Sequence, residues 1–95
     1  MPAYVIAVVD VTNPERYRDY TARTPDSIAR HGGRWVVRGG QTHVLEGDWQ
    51  PGRIVVIEFP DVDAALGWFN SADYQELAAI RREASTARIL VAEGV

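Results

Sequence analysis

Tyr4-Val5-Ile6-Ala7-Val8-Val9 and Ile54-Val55-Val56-Ile57, the second extended by Glu58 and Phe59, are two strand-like runs with almost no polar interruption. Successive side chains of a β-strand point to opposite faces, so a strand with one covered face alternates apolar and polar residues. These runs do not alternate, and each predicts a central strand that needs cover on both sides. Helices of the same chain supply one cover. A chain of 95 residues leaves nothing obvious for the other, and a second copy packed sheet against sheet is the economical answer. The expected working unit is a homodimer.

Beyond the first run, Val11-Thr12-Asn13-Pro14 reads as a helix start, with Asn13 as N-cap and Pro14 at the first helical position. Tyr17, Tyr20, Thr24 and Ile28 recur at helical spacing, as one face of an amphipathic helix. Pro25 lacks a backbone donor, which predicts a kink with Thr24 capping a second segment. That segment ends at His31, before Gly32-Gly33. Trp35-Val36-Val37 begins a second strand, Gly39-Gly40 predicts a bulge or bend, and His43-Val44-Leu45-Glu46 reads as its continuation. Gly47 to Gly52 is loop chemistry, and Arg53 to Phe59 is the third strand. Pro60-Asp61 opens another helix, Ser71 is a fresh N-cap, and Ala87 to Ala92 is the last strand.

The order β-α-β-β-α-β is the ferredoxin-like plan. The expectation is an α+β fold, ferredoxin-like βαββαβ with an antiparallel sheet, as a single domain over residues 1–95. In that plan the first and third strands lie in the middle of the sheet, and they are the two runs that are apolar on both faces. Pattern and topology agree.

Composition narrows the function classes. A hydrophobic fraction of 46% and a charged fraction of 24% are those of an ordinary globular protein. Thirteen acidic and ten basic residues, net charge -3, are scattered without a basic cluster, so no nucleic acid is expected as a partner. The absence of cysteine excludes disulfides and thiol chemistry and fits a cytoplasmic location. The first apolar run lacks a basic n-region and runs into Asp10, as a strand does and a signal peptide does not. No stretch approaches the roughly 20 apolar residues of a membrane span, so no membrane partner is expected.

Gly32-Gly33-Arg34-Trp35-Val36-Val37-Arg38-Gly39-Gly40 resembles the hallmark of a small bacterial family, domain-of-unknown-function family 1330. Glu46-Gly47-Asp48-Trp49, Ile57-Glu58-Phe59-Pro60, Trp68, Ser71-Ala72-Asp73-Tyr74-Gln75 and Arg81 carry the same resemblance over nearly the whole chain. That family is similar in fold to the dimeric α/β-barrel superfamily, in which two ferredoxin-like sheets pack face to face. The superfamily includes cofactor-free oxygenases, haem-using enzymes, small-ring isomerases and stress-response proteins. The resemblance implies the fold and the dimer, and no particular reaction, because one fold hosts many chemistries.

Arg38 and Glu58 lie in or beside strands expected to be covered, where charged groups are paired. An Arg38–Glu58 ion pair that fixes sheet register is the first reading. The second makes Arg38 the holder of an anionic or enolate-like group and Glu58 its orienter or proton carrier. His43 is the best candidate general base by its ordinary pKa, set against the plainer reading of an exposed strand residue. His31 reads as a helix cap. Neither histidine has a partner at metal-ligand spacing, so no metal is expected.

Tyr17, Tyr20, Trp68 and Tyr74 fall on helix faces that should meet the sheet. Their polar tips need partners if buried. A cleft lined by Tyr4, Tyr17, Trp68 and Tyr74 would satisfy them with ligand or water and overlaps the core-packing reading. Arg81 shares the Tyr74 face, where a salt bridge to a carboxylate at the sheet edge is the first expectation and contact with a ligand the second. Trp49 is expected to pack across the dimer. No glycine pattern suits a phosphate-bearing cofactor, and none is expected. The functional expectation is a protein that binds a small, partly apolar metabolite, with cofactor-free proton-transfer or oxygenase-type activity. A non-catalytic stress-related or regulatory module is the alternative.

Overall fold

In the computed structural model, which describes residues 1–95, strand β1 (Ala3–Val11) leads into helix α1 (Pro14–Arg30). Strands β2 (Arg34–Arg38) and β3 (Arg53–Phe59), helices α2 (Val62–Phe69) and α3 (Ala72–Ala84) and strand β4 (Ser85–Glu93) follow. The strands form one antiparallel sheet in the order β2-β3-β1-β4, which places β1 and β3 in the middle. This is the βαββαβ plan, with its second helical segment broken at Asn70–Ser71. No helix is long and apolar enough to cross a membrane.

Local chemistry sets the helix ends. Asn13 Oδ1 accepts from the Arg16 N–H at 3.1 Å, Asp61 Oδ1 from Ala64 at 2.8 Å and Ser71 Oγ from Tyr74 at 3.2 Å. Each satisfies an N-terminal donor that has no partner inside its helix. At the far end of α1, His31 is the C-cap, with Nδ1 2.9 Å from the Ser27 carbonyl oxygen.

Two local expectations are corrected. Pro25 lies inside the single helix α1 and no second segment begins there; Thr24 caps nothing, because its Oγ1 donates to the Tyr20 carbonyl at 2.6 Å. The carbonyl that Pro25 leaves without a helical donor belongs to Thr21, at a partly exposed position. Strand β2 ends at Arg38, and residues 39–52 form neither helix nor strand. Gly39, at φ 69°, turns the chain off the sheet while its N–H still donates to the Ile54 carbonyl at 2.8 Å. His43 to Glu46 therefore have no strand to pair with. The register shift lies at Val36, between the pairs Trp35–Ile57 and Val37–Val56.

Cross-strand register divides the sheet into two faces. Under the helices lie the rows Val91–Val5–Ile57–Trp35 and Ile89–Ala7–Val55–Arg38. On the other face lie Leu90–Ile6–Val56–Val37 and Ala92–Tyr4–Glu58–Arg34. Ala3, Val5, Ala7 and Val9 are buried, whereas Tyr4, Ile6 and Val8 are only half-buried and Leu90 is 57% exposed. The helices cover one face and leave the other open.

Gly33 sits where the first connection dives beneath the core. A Cβ there would lie 2.6 Å from the Phe59 ring and 2.7 Å from Ile28, both side chains being 1% exposed. Gly33→Ala is expected to lower stability by about 1–3 kcal/mol through overpacking. Gly40→Ala, with open space around its Cβ, is the control. Urea denaturation of the two variants checks the difference.

Candidate functional site

Ala7 has the shortest side chain between Val5 and Val9 on the covered face of β1, and it lies in register between Val55 and Ile89. The floor is therefore low at the centre of the sheet, and a cavity opens above it. Val5, Val55 and Ile57 complete the floor, and Tyr17, Tyr20, Thr24, Trp68 and Tyr74 descend from the helices. The space open to the centres of water molecules is about 30 Å³, and the void counted out through its mouth is about 490 Å³. The first figure is room for ordered water, and the second includes the open space of the mouth.

The wall is aromatic and tightly packed. Trp68 stands 4.0 Å from Tyr74 and 5.4 Å from Phe59, centroid to centroid. The Tyr20 and Tyr74 hydroxyls share a buried hydrogen bond of 2.8 Å, and Arg81 Nε donates to the Tyr74 hydroxyl at 3.4 Å. Burial pushes the Tyr20 hydroxyl far above the usual tyrosine range, with the neighbouring Tyr74 adding to the effect. Burial also raises Tyr17, against the opposing pull of the Arg53 guanidinium. The indole Nε1 of Trp68 is buried without a partner.

Three arginines line the same cavity at different depths. Arg38 is exposed and lies over the Trp35 ring at 4.5 Å, Arg53 is half-buried, and Arg81 is 6% exposed. Arg53 depends on Gly39, because any Cβ at that position would collide with its guanidinium. Its Nε is buried without a partner, and its Cζ is 5.8 Å from the Tyr17 ring centroid. No aspartate, glutamate or histidine lines the cavity. Nowhere in the chain do three potential metal-ligating side chains of those types or cysteine converge.

Residues 2–95 match the family described as "Domain of unknown function (DUF1330)". The chain belongs to the DUF1330 family. Among solved structures, this DUF1330 chain is similar to the RPA0582 protein of unknown function from Rhodopseudomonas palustris. The TM-score is 0.77 at 20% identity, covering 99% of this chain and 82% of that one. It is also similar to SnoaB, a cofactor-independent oxygenase from Streptomyces nogalater, with TM-score 0.71 and 20% identity over 99% of this chain and 93% of that one. Rv0793 from Mycobacterium tuberculosis follows at TM-score 0.59 and 17% identity, covering 100% and 96% of the two chains. These likenesses show a shared fold, the ferredoxin-like plan described above. No curated protein is similar to the sequence.

Of the residues singled out from sequence, Arg38, Tyr17, Trp68, Tyr74 and Arg81 meet around the cavity. Tyr4 and Glu58 do not, since they face each other across β1 and β3 on the open side of the sheet. Arg38 and Glu58 lie on opposite faces, which rules out the expected pair. Glu58 Oε2 instead accepts from Arg34 Nε at 2.9 Å. His43 lies exposed in the 39–52 connection, away from the cavity. Arg53 escaped sequence reading because a residue at the start of a strand carries no sign that a distant glycine makes room for it. Tyr20 belonged to the aromatic face, but its bond to Tyr74 is a tertiary contact.

Hydrogen bonding from Arg34, together with Tyr4, holds the Glu58 carboxyl below the usual glutamate range. A depressed folded-state pKa stabilises the fold above the unfolded pKa, and that stabilisation is lost as pH falls through the folded value. In carboxyl-resolved NMR titrations, Arg34→Ala is expected to raise the Glu58 midpoint, and Arg38→Ala is expected to leave it unmoved.

Proposed function

We propose that this DUF1330 chain is a homodimeric cytoplasmic protein that binds a small, partly apolar metabolite in the cavity between its helices and sheet. The observation that carries the reading is the cavity itself: an apolar floor, an aromatic wall and a few polar groups that converge without filling it. The homodimer is supported by the open face. Leu90, Ile6, Val56 and Val37 form an apolar row across all four strands on the side without helices. The Arg34–Glu58 pair lies at one end of that face. At the other, Trp49 borders a recess of about 260 Å³ with Val8, Asp10 and Arg88.

The catalytic form of this reading is cofactor-free proton-transfer or oxygenase-type chemistry, supported by the shared fold with SnoaB, itself a cofactor-independent oxygenase. The part that this cavity plays is electrostatic: guanidiniums stabilise an enolate-like charge as it develops on the bound molecule. One observation favours the non-catalytic module as the second reading. The lining holds no histidine, aspartate or glutamate, the side chains that most often serve as general acid or base.

Native mass spectrometry of gently purified protein tests both assembly and occupancy. A dimer carrying a reproducible added mass is expected, and Val56→Asp, which places a charge in the open apolar row, is expected to shift the population to monomer. A wild-type monomer at micromolar concentration would overturn the homodimer. A bare dimer that takes up no small molecule from a metabolite extract would overturn the binding reading.

A further inference from the structure

Arg81 is the least explained residue of the structure. Its side chain is more than nine-tenths buried in the cavity, and no carboxylate lies within ion-pair distance of it. Buried charges are ordinarily paired, because desolvation of an unpaired ion is expensive. The shortage is not one of acids, since α3 carries Asp73, Glu76 and Glu83. Asp73 accepts from Ser27 and pairs with Arg30, Glu76 pairs with Arg23 and Glu83 pairs with Arg16, all on α1. Arg81 is left with a single 3.4 Å bond to a neutral acceptor, the Tyr74 hydroxyl.

We infer that the missing partner is the ligand, and that the ligand is a carboxylate with an apolar body. This rests on the binding reading above and names its substrate class. Around the cavity, donors outnumber acceptors: the Arg81 and Arg53 guanidiniums and the buried Arg53 Nε–H and Trp68 Nε1–H, both unpartnered, face no acidic side chain. A planar carboxylate matches the fork of a guanidinium and supplies the acceptors that are lacking. A phosphate fits less well. The caps of the three helices, Asn13, Asp61 and Ser71, lie outside the lining, so no helix N-terminus aims its amides there. The exposed Arg38 and half-buried Arg53 continue the positive charge outward to the mouth, where it steers an anion inward.

The test uses the full-length ¹⁵N-labelled protein and three probes: benzoate, its neutral analogue benzamide, and inorganic phosphate. Each is titrated while the Trp68 indole and Tyr74 amide signals are followed. Benzoate is expected to bind at least about tenfold more tightly than either other probe, the scale of one charge-assisted contact. Arg81→Met is expected to remove about tenfold or more of the benzoate affinity and leave benzamide unchanged. Its ligand-free melting temperature is expected to be no lower than wild type, whereas a purely structural arginine would lower it. Equal affinity for benzoate and benzamide would overturn the carboxylate and leave the binding cavity standing. Phosphate binding as tightly as benzoate would reduce the site to a bare anion hole and overturn the proposed class. Silence of both reporters with all three probes would overturn the cavity reading together with this inference. The wild-type comparison decides the matter even where the variant does not fold.

Discussion

A four-stranded sheet has two faces, and this chain makes helices for one of them. Everything else follows from that imbalance. The odd-numbered residues from Ala3 to Val9 are sealed under α1, α2 and α3, while the even-numbered Tyr4, Ile6 and Val8 stay half-covered. Because side chains alternate with a period of two, one strand contributes to two environments a single residue apart. The covered side holds the cavity. The open side holds an apolar row that suits assembly. A substitution at Ala7 reaches the first, and one at Ile6 or Val8 reaches the second.

The same periodicity explains how much can be read without coordinates. Strands β1 and β3 announce themselves as central because they are apolar on both faces, and Asn13, Asp61 and Ser71 announce helix starts because short polar side chains satisfy orphan donors there. Strand β2 is opaque. Simple alternation through Arg34, Val36 and Arg38 would set both arginines on one face, beside Glu58. The irregularity at Val36 shifts the register, so Arg34 stays on the open side and Arg38 crosses to the cavity. Trp35-Val36-Val37 contains nothing that marks which residue bulges, whereas the Gly39-Gly40 pair invites the irregularity to be placed there. Gly39 has another use: it ends the strand and vacates the volume that Arg53 occupies. One extra residue thus decided which charges share a site.

The cavity wall shows how polar tips are handled in a small core. Tyr20 and Tyr74 satisfy one another, so two hydroxyls cost little when buried together. Trp68 is the largest fully buried side chain and links Phe59, Phe69 and Tyr74, but its indole N–H finds no acceptor. A buried donor without a partner typically costs about 1–3 kcal/mol. A core selected for stability alone would use phenylalanine at such a position. The indole and the guanidiniums of Arg53 and Arg81 are thus departures from local optimality within one cavity, and such departures concentrate where structure serves function.

Charge is segregated in the same sense. The chain is acidic overall, with net charge -3, and its ten basic residues are all arginine. Three salt bridges from Arg16, Arg23 and Arg30 tie α1 to the acids of α3 on the outer surface. These exposed pairs contribute little stability individually, about 0–1 kcal/mol each. The acids of α3 are engaged there, and none pairs with Arg81. The interior is left with positive charge and hydrogen-bond donors while the exterior carries the acid. Such a separation is unfavourable in an empty cavity, because a desolvated cation keeps no compensating charge. The carboxylate ligand proposed above would relieve it, and the energy withheld from folding would become available for binding.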